Sequence, residues 1–216
     1  GNSKIVGITG SNGKTTTTAL TYHICKHAGL DCAMVGNIGI SIAKQVALDP
    51  KEVYIAEISS FQLDDIKDFR AEIAVLTNIT EDHLDRYDYK FENYINAKFK
   101  ITNNQTKDDF FIYCADDPVT AKYLKKLTLH STPLPFTMKQ EPQKGAIIKD
   151  GTMTIAVNDD KVTMSVDDFK IKGKHNQYNT MAAGIAAATL GIRKEKIREA
   201  VTTFESLEHR MEMVAM

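Results

Sequence analysis

The 216-residue sequence predicts an α/β fold, in which a mostly parallel sheet is flanked by helices and carries a small antiparallel β-ribbon insert. Two observations lead to this prediction. Short apolar runs alternate with segments of helical length from residue 4 to residue 127, which is the order of βαβ units and a parallel sheet. Between 145 and 172, apolar and polar residues alternate around the turn signals "DG" and "NDD", which is typical of an antiparallel meander.

The elements can be predicted in order along the chain. Strands are expected at 4–9, 32–36, 53–59, 72–79 and 109–117, and a strand-like run closes the chain at 210–216. Helices are expected at 15–30, 91–104, 118–127, 176–192 and 193–206. The first helix should end at Gly29, because glycine is common just past a helix C-terminus. No repeat or linker divides the sequence, so we expect one domain over residues 1–216.

Composition excludes several classes of protein. Apolar residues make up 43% and charged residues 25% of the chain, and the net charge is -1, so neither nucleic acid nor a membrane is expected as a bulk partner. There is no apolar run of about 18 residues, and we expect no signal peptide. The cysteines Cys25, Cys32 and Cys114 form no C-x-x-C pair, so we expect reduced thiols in a cytoplasmic protein.

The segment "GITGSNGKTTTT" (7–18) lies between an apolar run and a helix, where a phosphate-binding loop is expected. It departs from the pattern G-x-x-x-x-G-K-[ST], because Ile8 stands where the first glycine belongs. A glycine-rich turn with a surface lysine is the alternative, but the strand–loop–helix order favours a phosphate site. Lys14 would then reach the β- and γ-phosphates, and the Thr15 hydroxyl would bind Mg²⁺. The candidate loop residues are Gly10, Ser11, Asn12, Gly13, Lys14, Thr15 and Thr16.

Two further polar residues follow predicted strands. Glu57 ends an apolar run, where a nucleotide-binding enzyme needs an acid to hold Mg²⁺ directly or through water. An ordinary strand-end carboxylate is the alternative. His83 follows the next run and should reach the same edge of the sheet, where open α/β folds bind ligands. Taken alone, a loop histidine is more often structural or solvated.

Lys98 lies on the mostly apolar face of its predicted helix. On a wheel of about 100° per residue, the residues nearest to it are Phe91, Tyr94, Ile95 and Thr102. Burial would disfavour the ammonium and lower the lysine pKa, and the neutral amine could act as a base or nucleophile or take up CO₂ as a carbamate. A lysine that snorkels to the surface, or a rotated helix, is the simpler interpretation of the residues alone.

Asn176 and Asn179, in "GKHNQYN" (173–179), are spaced i, i+3 near a predicted helix start. Asn176 could be an ordinary N-cap. Alternatively, the pair could recognise the edge of an adenine with amide donors and acceptors. The spacing leaves both possibilities open.

Several of these stretches occur together, in the same order, in one family. The chain resembles the central ATP-binding domain of the Mur ligases of peptidoglycan synthesis, and most of all the members that add D-glutamate. The family loop is G-[ST]-N-G-K-[ST], so the missing glycine is a trait of the family. The matching stretches span nearly the whole chain and are "GITGSNGKTT" (7–16), "GNIG" (36–39), "EISSFQL" (57–63), "TNITEDHLDRY" (77–87), "NAKFKI" (96–101), "CADDP" (114–118), "GKHNQYN" (173–179) and "LEHRMEMV" (207–214).

The resemblance implies a reaction and a set of ligands. In the family, ATP phosphorylates the substrate carboxylate, an amine attacks the acyl phosphate, and the tetrahedral intermediate collapses to an amide and phosphate. The implied substrates are ATP, UDP-N-acetylmuramoyl-L-alanine and D-glutamate. Thr15 and Glu57 would serve one Mg²⁺, while His83 and a carbamoylated Lys98 would serve a second.

The resemblance also suggests roles for less obvious residues. Asn37 and Ser59 would contact the UDP-muramoyl substrate, whereas Asn176 and Asn179 would lie on the adenine side of the nucleotide. Arg210 would reach the nucleotide from the hinge to the next domain. Family members add an N-terminal uridine-nucleotide domain and a C-terminal amino-acid domain, so we expect this chain to be inactive alone and monomeric.

Two alternatives to this assignment remain. The first is another ligase of the same type, resembling folylpolyglutamate synthetase, against which "SSFQL" argues. The second is a P-loop nucleotide-binding module or switch without ligase activity. A switch has no need to combine Glu57, His83 and Lys98, which favours the ligase.

Overall fold

A nine-stranded sheet organises the part of the chain that the structure describes. The structure, a computed structural model, describes residues 3–82, 84–157 and 161–205. The strands are β1 (Lys4–Thr9), β2 (Cys32–Gly36), β3 (Val53–Glu57), β4 (Ile73–Leu76), β5 (Phe110–Cys114), β6 (Thr132–Thr137), β7 (Gly145–Lys149), β8 (Thr152–Ala156) and β9 (Lys161–Ser165). Their order across the sheet is β2-β3-β1-β4-β5-β6-β7-β8-β9.

Seven α-helices cover the sheet in the part of the chain that is described. They are α1 (Lys14–His27), α2 (Ile42–Leu48), α3 (Ser60–Asp64), α4 (Phe91–Phe99), α5 (Pro118–Leu124), α6 (Lys174–Thr189) and α7 (Lys194–Thr203). Short 3₁₀ turns occupy Leu84–Tyr87, Lys100–Thr102 and Val166–Asp168. None of the helices in the described ranges is long and apolar enough to cross a membrane.

The predicted fold class is confirmed. Neighbouring strands from β2 across to β7 run parallel, and β7, β8 and β9 pair antiparallel. The ribbon, however, extends the edge of the main sheet and is not a separate layer. The "DG" turn lies between β7 and β8, with positive φ at both Asp150 and Gly151, whereas the "NDD" turn lies outside the described residues.

Side-chain alternation along the strands divides the core into two clusters, one on each face. On β1 and β3, Val6 and Ile55 join the cluster that packs under α1, α6 and α7. Tyr54 and Ala56, which alternate with Ile55, join the cluster on the opposite face, where α3 and α4 contribute Leu63, Tyr94 and Phe99. Because the central strands are covered on both faces, they are apolar along most of their length.

β6 was not predicted, because its sequence "TPLPFT" contains two prolines. In a parallel strand, alternate residues bond to opposite neighbours. The Thr132 amide N–H donates to Asp109 O (2.9 Å), and Phe136 O accepts from the Ala115 amide N–H (3.0 Å), so this set of residues faces β5. Pro133 and Pro135 face the other side, where pairing with β7 begins only at residues 136 and 137. The missing proline N–H groups therefore cost no ladder bonds.

The other differences are smaller. The predicted helix 91–104 is an α-helix only to Phe99, and a 3₁₀ turn continues it. α2 and α3 were not predicted. The first helix ends as expected, with Gly29 at φ +82° just beyond it. The three cysteines, expected to be reduced thiols, form no disulfide in the structure, and all three are buried. The predicted strand at 210–216 lies outside the described residues.

Candidate functional site

The loop between β1 and α1 lies at the carboxyl edge of the sheet, where β1, β3 and β4 end together. Gly13 is the N-cap of α1 and has φ +81°, a conformation that L side chains rarely adopt. A Cβ at this position would overlap the Asn179 side-chain oxygen. Residues 10–13 therefore form a tight turn that brings the backbone close to α6 and leads directly into α1.

The N-terminus of α1 supplies amide donors at this turn. The Thr17 amide N–H bonds to Gly13 O (2.9 Å), which closes the first turn of the helix. Helix geometry leaves the amides before Thr17 without intrahelical acceptors, and the helix dipole makes this end positive. Lys14, Thr15 and Thr16 belong to this first turn. The arrangement suits an anion such as a phosphate.

Two lysines converge on one backbone carbonyl of the loop. Lys14 Nζ donates to Gly10 O (2.8 Å) and to Ser11 O (2.9 Å), and Lys98 Nζ donates to the same Gly10 O (2.8 Å). Burial lowers the pKa of Lys14, although the nearby charges of Glu57 and Asp82 oppose this effect. The loop therefore concentrates positive charge beside the helix N-terminus.

Lys98 is buried, with 1% of its surface exposed. This burial agrees with its place on the apolar face of the predicted helix, and the snorkelling interpretation, which was the simpler one from the residues alone, is wrong. Its Nζ lies 4.6 Å from the centroid of the Tyr94 ring, one turn earlier on α4. Burial, followed by repulsion from Lys14, lowers the pKa of Lys98 to about 7, against a smaller opposing effect of Asp82. A neutral amine is therefore accessible at this position near neutral pH.

Glu57 is buried at the end of β3, with 1% of its surface exposed, and its carboxylate faces the loop. One oxygen accepts from Thr15 Oγ1 (2.8 Å) and the other accepts from Asn37 Nδ2 (2.9 Å). The Asn37 amide N–H also donates to Glu57 O (2.9 Å). The structure thus brings together Thr15, Glu57 and Asn37, three residues that the sequence singled out separately.

The carboxylate of Glu57 and the hydroxyl of Thr15 are oxygen donors of the kind that Mg²⁺ prefers. Within the described ranges, no group of three or more His, Cys, Asp or Glu side chains is arranged to hold a metal. The ammonium form of Lys98 would repel a metal cation, so Lys98 fits a metal site only after it loses its proton or becomes an anion such as a carbamate. His83, the other predicted metal ligand, lies outside the described residues.

Asn179 connects α6 to the loop. Its Oδ1 accepts from Thr17 Oγ1 (3.2 Å), and its Nδ2 donates to Asn176 Oδ1 (3.2 Å). The N-cap of α6 is Gly173, so the interpretation of Asn176 as an N-cap is wrong. Asn176 lies in the first turn of the helix, and its Nδ2 donates to Lys172 O (2.9 Å). The two asparagines therefore form one hydrogen-bonded pair beside the glycine loop.

Ser59 has a structural role that the sequence analysis did not identify. It is the N-cap of α3, where its Oγ accepts from the Gln62 amide N–H (3.3 Å) and the Gln62 side chain accepts from the Ser59 amide N–H (2.9 Å). This reciprocal capping box positions the loop after Glu57. Arg210, which was predicted to reach the nucleotide, lies outside the described residues.

The sequence analysis also missed three residues that contact the loop. Thr77, Asn78 and Thr80 follow β4 and bond to the backbone or side chains of Ser11 and Asn12. In the sequence their segment stands out by its position before His83 and by its resemblance to the family, not by its individual polar residues. Three small polar side chains in four residues at a strand end were the available signal.

Comparison with known proteins gives a consistent result. Residues 8–187 match the family described as the Mur ligase middle domain. The chain is 48% identical over 210 residues to the UDP-N-acetylmuramoylalanine–D-glutamate ligase of Christiangramia forsetii, covering 97% of this chain and 47% of that protein. It is 50% identical over 216 residues to the protein of the same name from Bacteroides fragilis, covering 98% of this chain and 48% of that protein.

Among solved structures, the chain is similar to a pseudomurein peptide ligase type C from Methanothermus fervidus, with a TM-score of 0.70 at 23% identity. The match covers 95% of this chain and 50% of that one. At this level of identity the likeness concerns the fold. The chain spans about half the length of the curated relatives it matches.

Proposed function

Because this chain belongs to the Mur ligase middle-domain family, we propose that it is the ATP-binding central part of a ligase that adds D-glutamate to UDP-N-acetylmuramoyl-L-alanine. The observation that carries this proposal is the glycine loop at the start of α1, with Lys14 on one side and the Thr15–Glu57 pair on the other. The shared name of the relatives supports D-glutamate as the incoming amino acid.

The loop and the first turn of α1 would hold the triphosphate. Lys14 is held by two carbonyl groups and would turn toward the β- and γ-phosphates, exchanging neutral acceptors for charged ones. Asn176 and Asn179 lie next to the loop at the start of α6, and we assign them to the adenine side of the nucleotide. Arg210 would complete the nucleotide site.

Thr15 and Glu57 would hold one Mg²⁺, and their oxygens, 2.8 Å apart, fit such a site. A second Mg²⁺ would need His83 and a carbamoylated Lys98. The burial of the Lys98 amine and its pKa of about 7 support carbamoylation, because only the neutral amine attacks CO₂. Bound metal would offset the negative charge that accumulates as a carboxylate approaches the γ-phosphate.

Asn37 and Ser59 would contact the UDP-muramoyl substrate, which brings the carboxylate that is to be phosphorylated. Both residues lie at the carboxyl edge of the sheet, one beside Glu57 and the other two residues after it. The amine of D-glutamate would then attack the acyl phosphate. We further propose that the protein is cytoplasmic and monomeric. The isolated central domain would lack ligase activity, because the relatives are about twice as long as this chain.

The first test is calorimetric titration of ATP·Mg²⁺ into this chain, with Lys14→Ala as the variant. We expect at least about 30-fold weaker binding, because a charge-assisted phosphate contact contributes about 2 kcal/mol or more. Lys51→Ala is the matched control, since Lys51 pairs with Asp31 and Asp49 far from the loop. Equal binding by wild type and Lys14→Ala would contradict the phosphate site.

A second test uses the full-length protein and measures phosphate release. We expect release that requires both UDP-N-acetylmuramoyl-L-alanine and D-glutamate. Release that requires a folate and L-glutamate would favour the folylpolyglutamate synthetase-like alternative. ATP hydrolysis independent of any acceptor substrate would favour the nucleotide-binding module.

A further inference from the structure

The segment after β4, residues 77–80, lies against the phosphate loop and bonds to it repeatedly. Thr77 Oγ1 donates to Asn12 O (2.6 Å), and the Ser11 amide N–H donates to Asn78 O (2.9 Å). Ser11 Oγ donates to Thr80 O (2.9 Å) and accepts from the Thr80 amide N–H (2.9 Å). The first half of the loop is therefore supported from a neighbouring strand end.

Within this segment, Asn78 makes the most specific contact. Its Oδ1 accepts from the Asn12 amide N–H (3.0 Å), and its Nδ2 donates to Asn12 O (3.0 Å). One side-chain amide thus satisfies both the donor and the acceptor of a single loop residue, as a partner strand would. An ionised carboxylate could not make both bonds, because the Asn12 carbonyl needs a donor and a carboxylate only accepts.

This contact has a consequence for the nucleotide. The amides of Ser11 and Asn12 are already used by Asn78, through its backbone and side-chain oxygens. The phosphates would therefore be bound by the second half of the loop and the first turn of α1. The part that binds phosphate is the part that Asn78 leaves free.

The departure from the usual glycine spacing explains why the loop needs the contact with Asn78. Ile8 lies within β1, is fully buried, and pairs with Glu57 and Val75 on the two neighbouring strands. The loop therefore leaves the sheet only after Thr9 and must turn into α1 at Lys14 within four residues. Hydrogen bonds fix both the N–H and the C=O of Asn12. Because of these bonds, the short turn is ordered before any ligand binds.

We propose that Asn78 is a positioning residue that preforms the phosphate loop by holding the Asn12 peptide. The inference rests on the proposed nucleotide-binding function and deepens it, since it names the residue that orders the site. Asn78 itself touches no reacting atom in this assignment. Its contribution is to the conformation that the loop has before the triphosphate binds.

The decisive experiment measures amide hydrogen exchange by NMR in the free chain and needs no ligand. In Asn78→Ala, the Asn12 amide should exchange at least about tenfold faster than in the wild type, because its acceptor is gone. Asn104→Ala is the matched control. Asn104 is similarly half-buried and donates two side-chain bonds, to Lys67 O and Phe69 O, at the opposite edge of the sheet.

Asn78→Asp distinguishes the two hydrogen bonds that the Asn78 side chain makes with Asn12. A carboxylate keeps the acceptor for the Asn12 N–H and loses the donor for Asn12 O, so Asn12 exchange should remain slow. Unchanged Asn12 exchange in Asn78→Ala would overturn the proposal. So would equally faster exchange throughout the domain, since that would indicate only a general loss of stability.

A second measurement connects the support to function in the full-length protein. Asn78→Ala should raise KM for ATP about five- to tenfold while KM for the other two substrates and the melting temperature stay within error. A parallel rise in every KM, with a lower melting temperature, would count against a positioning role. If the full-length protein proved not to be a ligase, the exchange experiment would still decide the role of Asn78.

Discussion

The charged side chains at the two edges of the sheet are arranged in opposite ways. At the carboxyl edge, Lys14 and Lys98 both donate to one neutral acceptor, Gly10 O. At the amino edge, just before β4 and β5, the Arg70 guanidinium meets the buried Asp109 carboxylate through two bonds, Nε to Oδ2 (2.8 Å) and Nη2 to Oδ1 (2.7 Å). One edge crowds like charges together, and the other pairs opposite charges.

We interpret the amino edge as shaped by stability and the carboxyl edge as shaped by the nucleotide binding proposed above. Like charges around a carbonyl raise the free energy of the ligand-free fold, and a bound anion would offset that cost. A bidentate Arg–carboxylate pair needs no ligand, because its partners satisfy each other. Residues that break local rules without compensation are expected at functional sites. Stability and ligand binding should therefore respond oppositely to substitution at the two edges.

The largest effect on stability is expected at the amino edge. Asp109→Ala should lower the free energy of unfolding by about 3 kcal/mol, since it leaves the Thr106 amide N–H and the Arg70 guanidinium without their shared buried acceptor. Urea denaturation at pH 7 measures this change. ATP binding should be unaffected, and a weaker affinity for ATP would show that the two edges are coupled.

The same pair has a defined pH dependence. Burial would raise the pKa of Asp109, but the hydrogen bonds from Arg70 and Thr106 outweigh it and hold the pKa below its ordinary value of 3.8. The stabilisation is therefore fully present above pH 3.8 and is lost as pH falls through the depressed pKa. The difference between wild type and Asp109→Ala should shrink in acid.

At the carboxyl edge we expect the opposite sign. Lys98→Met should raise the free energy of unfolding at pH 7 by about 2 kcal/mol, because a buried cationic amine is replaced by an apolar chain of similar length. Gly10 O keeps its bond from Lys14. The same variant should abolish ligase activity in the full-length protein. A loss of stability would mean that the Lys98–Gly10 bond outweighs the cost of burying the amine.

The pH dependence of this gain follows from the pKa of Lys98, which burial lowers from 10.5 to about 7. Between these two values the unfolded chain holds a proton that the folded chain has released, so wild-type stability rises with pH by up to about 1.4 kcal/mol per unit. The advantage of Lys98→Met should be full below about pH 7 and should fall as pH rises toward 10.5. Denaturation in CO₂-free buffer from pH 6 to pH 9.5 tests this expectation.

The smallest effect distinguishes two glycines of similar conformation. Gly13 (φ +81°) lies at the site, and Gly151 (φ +73°) lies in the turn between β7 and β8. Gly151→Ala should cost about 1 kcal/mol, the strain of a left-handed residue, because nothing lies within 4 Å of the added Cβ. Gly13→Ala should cost more and weaken ATP binding, because its Cβ would overlap Asn179. Equal losses of stability in the two variants would show that the Asn179 side chain moves away from the added Cβ without cost.

Sequence periodicity predicted most of the sheet, because its central strands are buried on both faces and read as continuous apolar runs. It missed β6, where Pro133 and Pro135 look incompatible with a strand until the partner on each side is known. It missed α2, which has no buried residue and therefore no strong apolar face. The failure at β6 concerns neighbours in space, which a linear pattern does not contain, whereas α2 has no apolar pattern to detect.

The sequence predicted which residues belong to the candidate site better than it predicted the contacts between them. The loop, Glu57 and Lys98 were recognised by residue type and position, and the structure brings Thr15, Glu57 and Asn37 together. The burial of Lys98 depends on how α4 packs, so the sequence left it open. The contact between Asn78 and Asn12 joins residues 66 positions apart and has no local signature. The roles assigned to His83 and Arg210 stay predictions.

The short pairing between β6 and β7 also indicates where the sheet would part under mechanical load. Strands β6 and β7 share two register pairs, at 136–146 and 137–147, whereas β5 and β6 share five. A pulling force applied across the sheet would meet its weakest seam at this junction. Strands β7–β9 would separate from β6 there once their contacts with α6 and α7 are also broken, while the strands that carry the glycine loop and Glu57 stay paired.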